Sequence, residues 1–589
     1  MGGGGTLSSG GDTSAAGGAS ALGGSSGTPG GASNCNGAAC NSVPTGLLDP
    51  ERTTTWNPGI LSDTQLNLPL GGDGLPTRTN VCANVKPGDN LANAVNACAA
   101  GQVVELAAGT YTISSTLTLS KGIVLRGAGS QGASKGGTTV VKTGGGSVIA
   151  IGTAQDQACY NSDYDSAYAI TENAAKETNV IHLGSNASHF AAGDLAIIDE
   201  VDDATIQEGD CQYFKRVDKR SVSERFEVAS VDTAAGTITL TTPLHWTFKS
   251  SSPYNAQVAR TKDPVVKWAG IENLAVQGGT NPGYNGQMAG GIDISNAAYC
   301  WVKNVQTDAT IGGMHVSMTG TYRCVVRDAY FHNSANYGFG ADCYGIVLRC
   351  GAADNLIENN IVRYMNKPIL FNVSGGGNVI GYNYADNSWA TPPAWQEVNI
   401  DTHCSFPHME LIEGNYAPHM GATCTHCNAG YLTYFRNYSS SQFAAPAVAG
   451  STAKQTGNII SLQFDTGDIN MSAVGNVFGS SSASDLGTAP VSQAVVGTDS
   501  NTASIYQFGD NGKADVSYTS LWAHGNYDTV TPGVVWNASI ATHDVPASLY
   551  LAAKPAWWPA NSAWPWVGPD LDPRVQTLPA KARSDSGNP

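Results

Sequence analysis

Charged residues are scarce in this sequence: Asp, Glu, Lys and Arg make up only 13% of its 589 residues. Basic residues are the rarer kind, with 30 against 47 acidic ones, and the net charge of −17 argues against a nucleic-acid partner. A continuous run of 18 apolar residues is also lacking, so no membrane span is predicted. We interpret the excess of acidic residues as a feature that keeps the protein soluble outside the cell.

Glycine and cysteine, in contrast, are plentiful, at 70 and 13 residues. Residues 1–45 are rich in Gly, Ser, Ala and Thr and are predicted to form a disordered tether. No signal peptide precedes it, so we expect the mature form of an exported bacterial protein, secreted or held at the cell surface, whose leader has been removed. Cys82 and Cys98 bracket a predicted helix and are expected to pair as a disulfide that holds it.

A repeated pattern runs from residue 270 to residue 480: an apolar pair, a polar spacer, an Asn or Asp anchor, and another apolar residue. Successive anchors lie between 22 and 39 residues apart. Short intervals suit one turn of a parallel β-solenoid, and long ones suit a turn with an inserted loop. Asn-rich turns in an antiparallel sandwich are the alternative. The anchors are Asn273, Asn304, Asp328, Asn360, Asn383, Asn415, Asn437 and Asn476.

Apolar residues flank the anchors, three positions before and one position after. Because a strand alternates its faces, both positions are predicted to point into the interior. The anchor then points the opposite way or lies at a bend, where stacked Asn amides can hydrogen-bond from coil to coil. Cys300 and Cys324 each precede an anchor by four residues and are expected to stack on adjacent coils, as a disulfide or as buried thiols.

A short amphipathic helix is predicted near residues 89–100, followed by strand-like runs to residue 125. With the run Gly122–Gly129, this stretch resembles the N-terminal cap and first coils of the pectin-lyase-like superfamily. The resemblance implies an all-β fold: a right-handed single-stranded parallel β-helix over residues 46–480, with an N-terminal amphipathic capping helix. The apolar face of the helix is formed by Leu91, Ala94, Val95 and Cys98.

Residues 481–589 are expected to form C-terminal coils and a Trp/Pro-rich cap packed on the β-helix. Two runs in this region, 554–559 and 564–566, bring together four of the 12 Trp residues. We interpret them as a cover for the last coil. The alternative is a sugar-binding platform, because aromatic faces stack on pyranose rings.

Known members of the superfamily mostly cleave polysaccharides, as lyases or hydrolases, and others are adhesins or phage tailspikes. The resemblance therefore implies a secreted or surface-tethered carbohydrate-active enzyme with a polysaccharide partner, with β-elimination slightly preferred over hydrolysis. A non-catalytic surface β-helix, an adhesin or structural component, is the main alternative, and a polymer isomerase or epimerase a further one. Neither a contiguous Asp-Asp motif of the polygalacturonase type nor a lyase signature is present. The oligomeric state is not indicated.

Candidate site residues lie on the strands that follow the anchor segments. If the apolar residues of these strands face inward, their polar neighbours face outward along one surface, as a polysaccharide groove requires. The segment Trp395–His426 is the densest cluster, with four of the 11 histidines beside several carboxylates that can share acid and base catalysis. The residues predicted to share the outer surface are Asp293, His315, Asn399, Asp401, Gln463 and Asp465.

Two sets of residues are predicted on this basis. Lys367 is included because it can act as a base or neutralise a substrate carboxylate. For hydrolysis, Asp401 with Asp465 or Asp293 with Asp342 are candidate carboxylate pairs. The substrate-binding set is Trp395, Asn399, Asp293 and Asp465. The catalytic set is Asp401, His403, His408, Glu410, Lys367 and His315.

Metal ligands are not assigned. Because relatives of this fold often use Ca²⁺ held by carboxylates, the resemblance makes Ca²⁺ a candidate cofactor. The motif Cys424-Thr-His-Cys427 suggests zinc, but its second ligand pair would have to be His403 and His408, or Cys404, so a local disulfide or loop cysteines are preferred. The motif Gly127-Ala-Gly-Ser-Gln-Gly132 matches a dinucleotide fingerprint, yet no helix follows, and we interpret it as a β-helix turn.

Overall fold

The computed structural model describes residues 43–587 and the backbone of two short paired strands, Asn34–Cys35 and Ala38–Ala39. Most of the expected tether therefore lies outside the described residues. The segments not described within residues 43–587 are 153–158, 160, 210–214, 280–289, 338–342, 391–394, 424–425, 443–456, 481–490 and 498–502.

One face of the solenoid is an eleven-strand sheet, in which neighbouring strands pair in parallel. Its inward side chains, such as Ile292, Ile346 and Ile369, stack in register and belong to the central core. Its strands are Leu117–Leu119, Ile149–Gly152, Ile292–Ser295, Val316–Thr319, Ile346–Arg349, Ile369–Asn372, Ile400–Cys404, Met420–Ala422, Ile460–Phe464, Val491–Gly497 and Ser504–Phe508.

The opposite side is a second parallel sheet, here called the bent sheet, because each coil bends within it. Before the bend lie Val81–Val85, Val103–Leu106, Val124–Arg126, Val325–Arg327, Leu356–Glu358, Val379–Gly381, Leu411–Glu413, Thr433–Phe435, Ser472–Val474 and Trp522–His524. After the bend lie Gly109–Ile113, Thr138–Gly145, Tyr330–His332, Ile361–Arg363, Tyr384–Asp386, Tyr438–Ser439, Val477–Phe478 and Asn526–Asp528, with Gly533–Val535 antiparallel to the last. Gly270–Gly279 and Trp301–Thr307 span both halves.

The register shows that each coil lies directly on the next. Val326, Ile357, Ile380 and Ile412 are neighbours on successive strands, and all four face the core. Parallel pairing with a return through the opposite sheet on every coil is the parallel β-helix that the repeat predicted. The sandwich alternative is excluded because these pairs are parallel.

The bend changes the expected orientation of the flanking residues. Asn359, directly before the anchor Asn360, has a φ of 56°, a left-handed conformation that reverses the alternation of faces. Ile357 therefore faces the core, whereas Ile361 faces outward into a second apolar cluster. The prediction that both flanking positions point inward was wrong, because it assumed an unbroken strand.

The first anchors are also displaced by one residue. Arg327 pairs with Glu358, so Asp328 matches the bend residue Asn359 and not Asn360. Consequently Val325 faces outward and Val326 faces inward. A shift of one residue exchanges the two faces of a strand. Asn and Asp suit both adjacent positions, since they tolerate positive φ and also form side-chain hydrogen bonds, so the sequence pattern did not separate them.

The later anchors form a buried ladder, each Asn donating its amide N–H to the Oδ1 of the next at 3.0–3.1 Å. The ladder continues past residue 480, because Asn476 donates to Asn526 at 3.0 Å. The regular coils thus reach Asp528. The members are Asn360, Asn383, Asn415, Asn437, Asn476 and Asn526.

The predicted N-terminal helix spans Leu91–Ala97 and buries Leu91 and Val95 in the central core. Its first turn is capped by Asn90, whose side chain accepts the N–H of Asn93 at 2.9 Å. The Cys82–Cys98 disulfide is present, as expected. Cys300 and Cys324 lie on adjacent coils as buried free thiols. Of the two alternatives for this pair, buried thiols are therefore correct and the disulfide is not.

An inserted sheet interrupts the coils between residues 152 and 270, which the sequence repeat did not indicate. It has six antiparallel strands: Tyr164–Ala169, Val180–His182, Leu195–Asp199, Ser223–Asp232, Thr237–Leu240 and Gln257–Thr261. The sheet has an apolar core of its own, which Phe406 joins from the solenoid. It is tied to the coils by the Cys159–Cys350 disulfide and by contact of His245 with Asp354.

Two arms cover the outside of the bent sheet. The N-terminal arm, residues 43–78, and the C-terminal arm, residues 537–587, supply Trp56 and Trp566 to the outer apolar cluster. The C-terminal arm includes the helix Pro579–Asp585 and runs back along the coils, so it covers a side of the solenoid and not only its last coil. Among the helices described, none is long and apolar enough to cross a membrane.

Candidate functional site

The predicted outer row is only partly continuous. Asp293, Ser317, Val347, Leu370 and Asp401 occupy one position on successive strands of the eleven-strand sheet. Four strand spacings separate the two Asp residues, about 19 Å. Between them, Val347 and Leu370 form a buried apolar cluster with Met314 and Tyr344. Asp293 therefore lies apart from the charged group around Asp401.

Lys367 is the centre of that charged group. Its ammonium lies 2.5 Å from Asp401 and 3.6 Å from Glu397, and all three side chains are largely buried. Burial disfavours the charge on Lys367, but the two carboxylates outweigh burial and raise its pKa above the usual range. Lys367 is thus a cation at neutral pH and not a free base.

Asp401 uses both oxygens within the protein. Its Oδ1 accepts the N–H of Thr402 and both the N–H and hydroxyl of Thr423, each at 2.8 Å. Its Oδ2 accepts from Lys367. Such a set of donors holds a carboxylate in one position. Asp401 is fully buried, so it acts on the site through its neighbours.

Asp465 is the part of the group that solvent reaches. It follows the strand Ile460–Phe464 and is half-buried, and Gln463 donates to it at 3.0 Å. Burial, together with the negative charge of Asp401, raises the pKa of Asp465 to about 6. Burial likewise raises the pKa of Glu397, against the opposing effect of Lys367. Carboxyl groups of this kind can donate a proton near neutral pH.

Two histidines border the same group. His403 is half-buried with its ring 4.8 Å from that of His426, and His419 is fully buried. Burial and the nearby Lys367 lower the pKa of both histidines to about 3. Both rings are therefore neutral at neutral pH, and their low pKa makes them weak bases.

Three further predicted residues serve the scaffold. His315 is fully buried with Nδ1 2.5 Å from the hydroxyl of Thr307, and burial lowers its pKa to about 3. Asn399 donates to Ser388 and accepts the N–H of His419, at 2.8 and 3.0 Å. Trp395 lies in a short antiparallel pair, Trp389–Ala390 with Trp395–Gln396, two residues from Glu397.

The structure separates His408 and Glu410 from the charged group. His408 is fully buried against the inserted sheet, 3.5 Å from Glu224 and edge-on to Trp246. Glu410 accepts from Ser374 at 2.6 Å and from Asn378 at 3.0 Å, in a second short ladder. Both follow the strand that carries Asp401, but the chain has already turned away. They are sequence neighbours of the site without being spatial neighbours.

Two members of the group were not among the predicted residues, Glu397 and Thr423. Glu397 lies in the segment Trp395–His426, two residues before Asn399, and this position could have indicated that it belongs to the group. Nothing in the sequence around Thr423 indicates its role, because that role depends on tertiary structure. Asp401 on the strand Ile400–Cys404 reaches across to the residue that follows the neighbouring strand Met420–Ala422.

The residues present do not fit a Ca²⁺ site at this position. The ammonium of Lys367 already lies between the two carboxylates that would bind the ion. Within the part of the chain that the structure describes, no group of three His, Cys, Asp or Glu side chains is arranged to hold a metal. Cys404 and Cys427 are both disulfide-bonded, which opposes the zinc interpretation.

Comparison with known proteins identifies no family: no family model matches the sequence, and no curated protein matches it. Several solved structures are similar at low identity. A tailspike of Pseudomonas phage LKA1 is 16% identical over 66% of this chain and 68% of its own, with a TM-score of 0.37. A tailspike of Pseudomonas phage phi297 is 13% identical over 65% and 61%, with a TM-score of 0.38. An alginate lyase of Paenibacillus is 10% identical over 72% and 99%, with a TM-score of 0.31.

Proposed function

We propose that this protein hydrolyses a polysaccharide on the outer face of the eleven-strand sheet, with Asp465 as general acid and Glu397 as the second carboxylate. The observation that carries the proposal is the half-exposed Asp465, whose pKa of about 6 is set by burial beside the ionised Asp401. A carboxyl group that stays partly protonated up to about pH 6 can protonate a leaving glycosidic oxygen.

Lys367 and Asp401 act as positioning residues in this mechanism. Lys367 holds Asp401 and Glu397 on either side of one ammonium, so Glu397 stays oriented while Asp401 keeps its negative charge toward Asp465. A carboxylate fixed in this way can direct the attack of water on the sugar. His403, neutral and half-buried, lies beside the same group as a hydrogen-bonding partner for sugar hydroxyls.

Hydrolysis is preferred here to β-elimination, which the sequence slightly favoured. Elimination needs a base to remove the proton next to a uronate carboxylate, and a free cation to stabilise the resulting charge. Lys367 is protonated and already paired with two carboxylates, and His403 is a weak base. The polymeric nature of the substrate rests on the superfamily resemblance and on the length of the rigid outer face.

We also propose that the protein acts outside the cell. The disulfides Cys82–Cys98 and Cys159–Cys350 suit an oxidising compartment, and the Gly/Ser-rich composition of residues 1–45 is typical of a tether to a surface.

Asp465→Asn and Glu397→Gln are each expected to lower kcat by about 100-fold or more on a susceptible polysaccharide, because general acid–base catalysis contributes about that much. Activity of the unmodified protein should fall as pH rises through about 6, where Asp465 loses its proton. Reducing ends are measured over a polysaccharide panel, together with the ultraviolet absorbance of unsaturated uronates.

Asp544→Asn is the matched control, since Asp544 is an exposed carboxylate on the C-terminal arm, which covers the opposite sheet. It should leave kcat nearly unchanged. Detection of unsaturated products would show that the polysaccharide is cleaved by elimination and not by hydrolysis. If both Asp465→Asn and Glu397→Gln retain full turnover, the proposed catalytic role of these two residues is rejected. The charged group would then serve binding or structure only.

A further inference from the structure

A groove lies on the opposite side of the molecule from the proposed catalytic site. It consists of two adjoining clefts of about 520 and 570 Å³ between the bent sheet and the arms. The first lies between the N-terminal arm around Asp73 and the C-terminal arm around Lys554. The second lies between the Gly-rich loop around Ser130 and the C-terminal helix at Arg583. Trp557 lines both clefts, so its indole stands where they meet.

Trp557 is held on a rigid base. The guanidinium carbon of Arg327 lies 5.4 Å from the centre of the indole ring. Arg327 in turn contacts Glu358 at 3.3 Å, and Glu358 accepts the hydroxyl of Tyr550 at 2.7 Å. These partners are buried, whereas Trp557 is only half-buried. The ring is therefore fixed in place with part of its surface available, as a preorganised site requires.

The two clefts differ in their chemistry. The first has apolar walls that include Leu61 and Leu70, with Asp73 and Lys554 as polar groups. The second is lined mainly by hydroxyl, amide and backbone groups. On its wall, Asn359 is 4% exposed, and its Oδ1 has no hydrogen-bond partner among the described residues. A buried acceptor without a partner is costly unless a ligand or water supplies a donor.

We propose that this groove binds an oligosaccharide chain, one pyranose ring stacking on Trp557 and hydroxyl groups of the next sugars bonding in the second cleft. Sugars have apolar ring faces and hydroxyl-bearing edges, which match an indole beside amides and hydroxyls. The first cleft is lined by two acidic and two basic side chains, so their charges cancel. The second cleft is lined by two basic side chains, Lys135 and Arg583, and one acidic side chain, Asp328. The groove thus suits neutral or weakly acidic sugars.

The proposal does not rest on the proposed catalytic activity, because the groove uses the bent sheet and the arms. It gives the Trp-rich segment the sugar-binding role that its sequence left as an alternative. A polymer held here would keep the protein on its substrate, or on a cell surface, whatever happens at Asp465.

Binding is tested with labelled neutral and uronic hexasaccharides, in the Asp465→Asn background so that cleavage does not consume the probe. At least one hexasaccharide should bind, and Trp557→Ala should weaken its binding about tenfold, or about 1.4 kcal/mol. Trp536→Ala is the matched control, since Trp536 is also half-buried but lies outside both clefts, stacked on His543. It should bind as tightly as its parent.

Gly72→Phe provides a second variant that leaves Trp557 in place. A side chain at Gly72 would begin in ordinary contact with Ala556, 3.5 Å away, and extend into the first cleft. It should weaken binding at least tenfold, while circular dichroism and thermal unfolding match the parent. Equal affinity of the parent, Trp557→Ala and Gly72→Phe, or no binding of any hexasaccharide, would overturn the proposal. Catalysis is scored separately by reducing ends, so either proposal can fail alone.

Discussion

At the scale of single residues, asparagine side chains complete the hydrogen bonding that the bends of the coils interrupt. Asn415 accepts both the backbone and side-chain N–H of Asn383, at 2.9 and 3.0 Å. It also donates to the carbonyl of Ile380 at 2.8 Å. The residue is fully buried, so these backbone groups have no access to water. An Asn side chain is an amide like the peptide group, with one acceptor oxygen, but it has two N–H donors where the peptide group has one.

Asn415→Ala is expected to lower the free energy of unfolding by about 3 kcal/mol, because it leaves a buried N–H and a buried carbonyl without partners. Chemical denaturation measures the change. The control is Asn93→Ala, an exposed position in the N-terminal helix, where the change should stay within about 0.5 kcal/mol. A loss below about 1 kcal/mol for Asn415→Ala would show that the ladder contributes little.

At the scale of elements, the inserted sheet is attached to the coils through a buried charged contact. His245 of the inserted segment contacts Asp354 at 3.1 Å and, on its other nitrogen, the hydroxyl of Thr54 at 2.8 Å. Glu224 and Glu177 are further charged groups that act on it. Burial alone would lower the pKa of His245, but Asp354 and these carboxylates raise it to about 9. His245 is therefore charged in the folded protein at neutral pH.

This shift makes stability depend on pH. Because the folded-state pKa is the higher one, the contribution is fully present below the ordinary histidine value of about 6.5, and it is lost as pH rises through about 9. We expect a decrease of about 3 kcal/mol in the free energy of unfolding across this range.

Urea denaturation at several pH values measures this slope. His245→Asn should remove most of it, whereas His543→Asn, at an exposed histidine, should not. An unchanged slope in His245→Asn would assign the pH dependence to other groups.

At the scale of the whole molecule, the two arms cover the apolar outer surface of the bent sheet. Arg436 on the bent sheet donates to the backbone carbonyls of Val545, Pro546 and Val567 at 2.6–3.1 Å. It also forms a bidentate pair with Asp570 at 2.7 and 2.9 Å. One buried guanidinium thus supplies five of the hydrogen bonds that hold the C-terminal arm on the coils.

Arg436→Ala is expected to loosen the C-terminal arm around residues 545–570, because five hydrogen bonds to it are lost together. The free energy of unfolding should fall by about 3 kcal/mol. Limited chymotrypsin digestion should then cut at the arm's Trp residues. Asp585→Ala, which removes a surface ion pair with Lys581 within the C-terminal helix, should leave both stability and digestion nearly unchanged. Resistance to digestion in Arg436→Ala would mean that the apolar contacts alone hold the arm.

Much of the site could be predicted because its residues lie on neighbouring strands. Lys367, Asp401, His403 and Asp465 come together since each coil lies directly on the next, and the repeat revealed the coils. His408 and Glu410 could not be separated from them by sequence, because a turn that redirects the chain depends on local φ values. The inserted sheet was not predicted, because residues 152–270 do not contain the repeat from which the coils were recognised.

The sequence alone determined the parallel β-helix, because stacking in register imposes the same residue types at each coil. It also predicted the helix Leu91–Ala97 and the Cys82–Cys98 disulfide beside it. The tertiary structure decided which face each residue takes, since one left-handed residue at the bend exchanges inside and outside. It also decided the state of the charged groups. Whether Lys367 is a base or a paired cation, and whether Asp465 keeps its proton near pH 6, depends on burial and on neighbours that are distant in the chain.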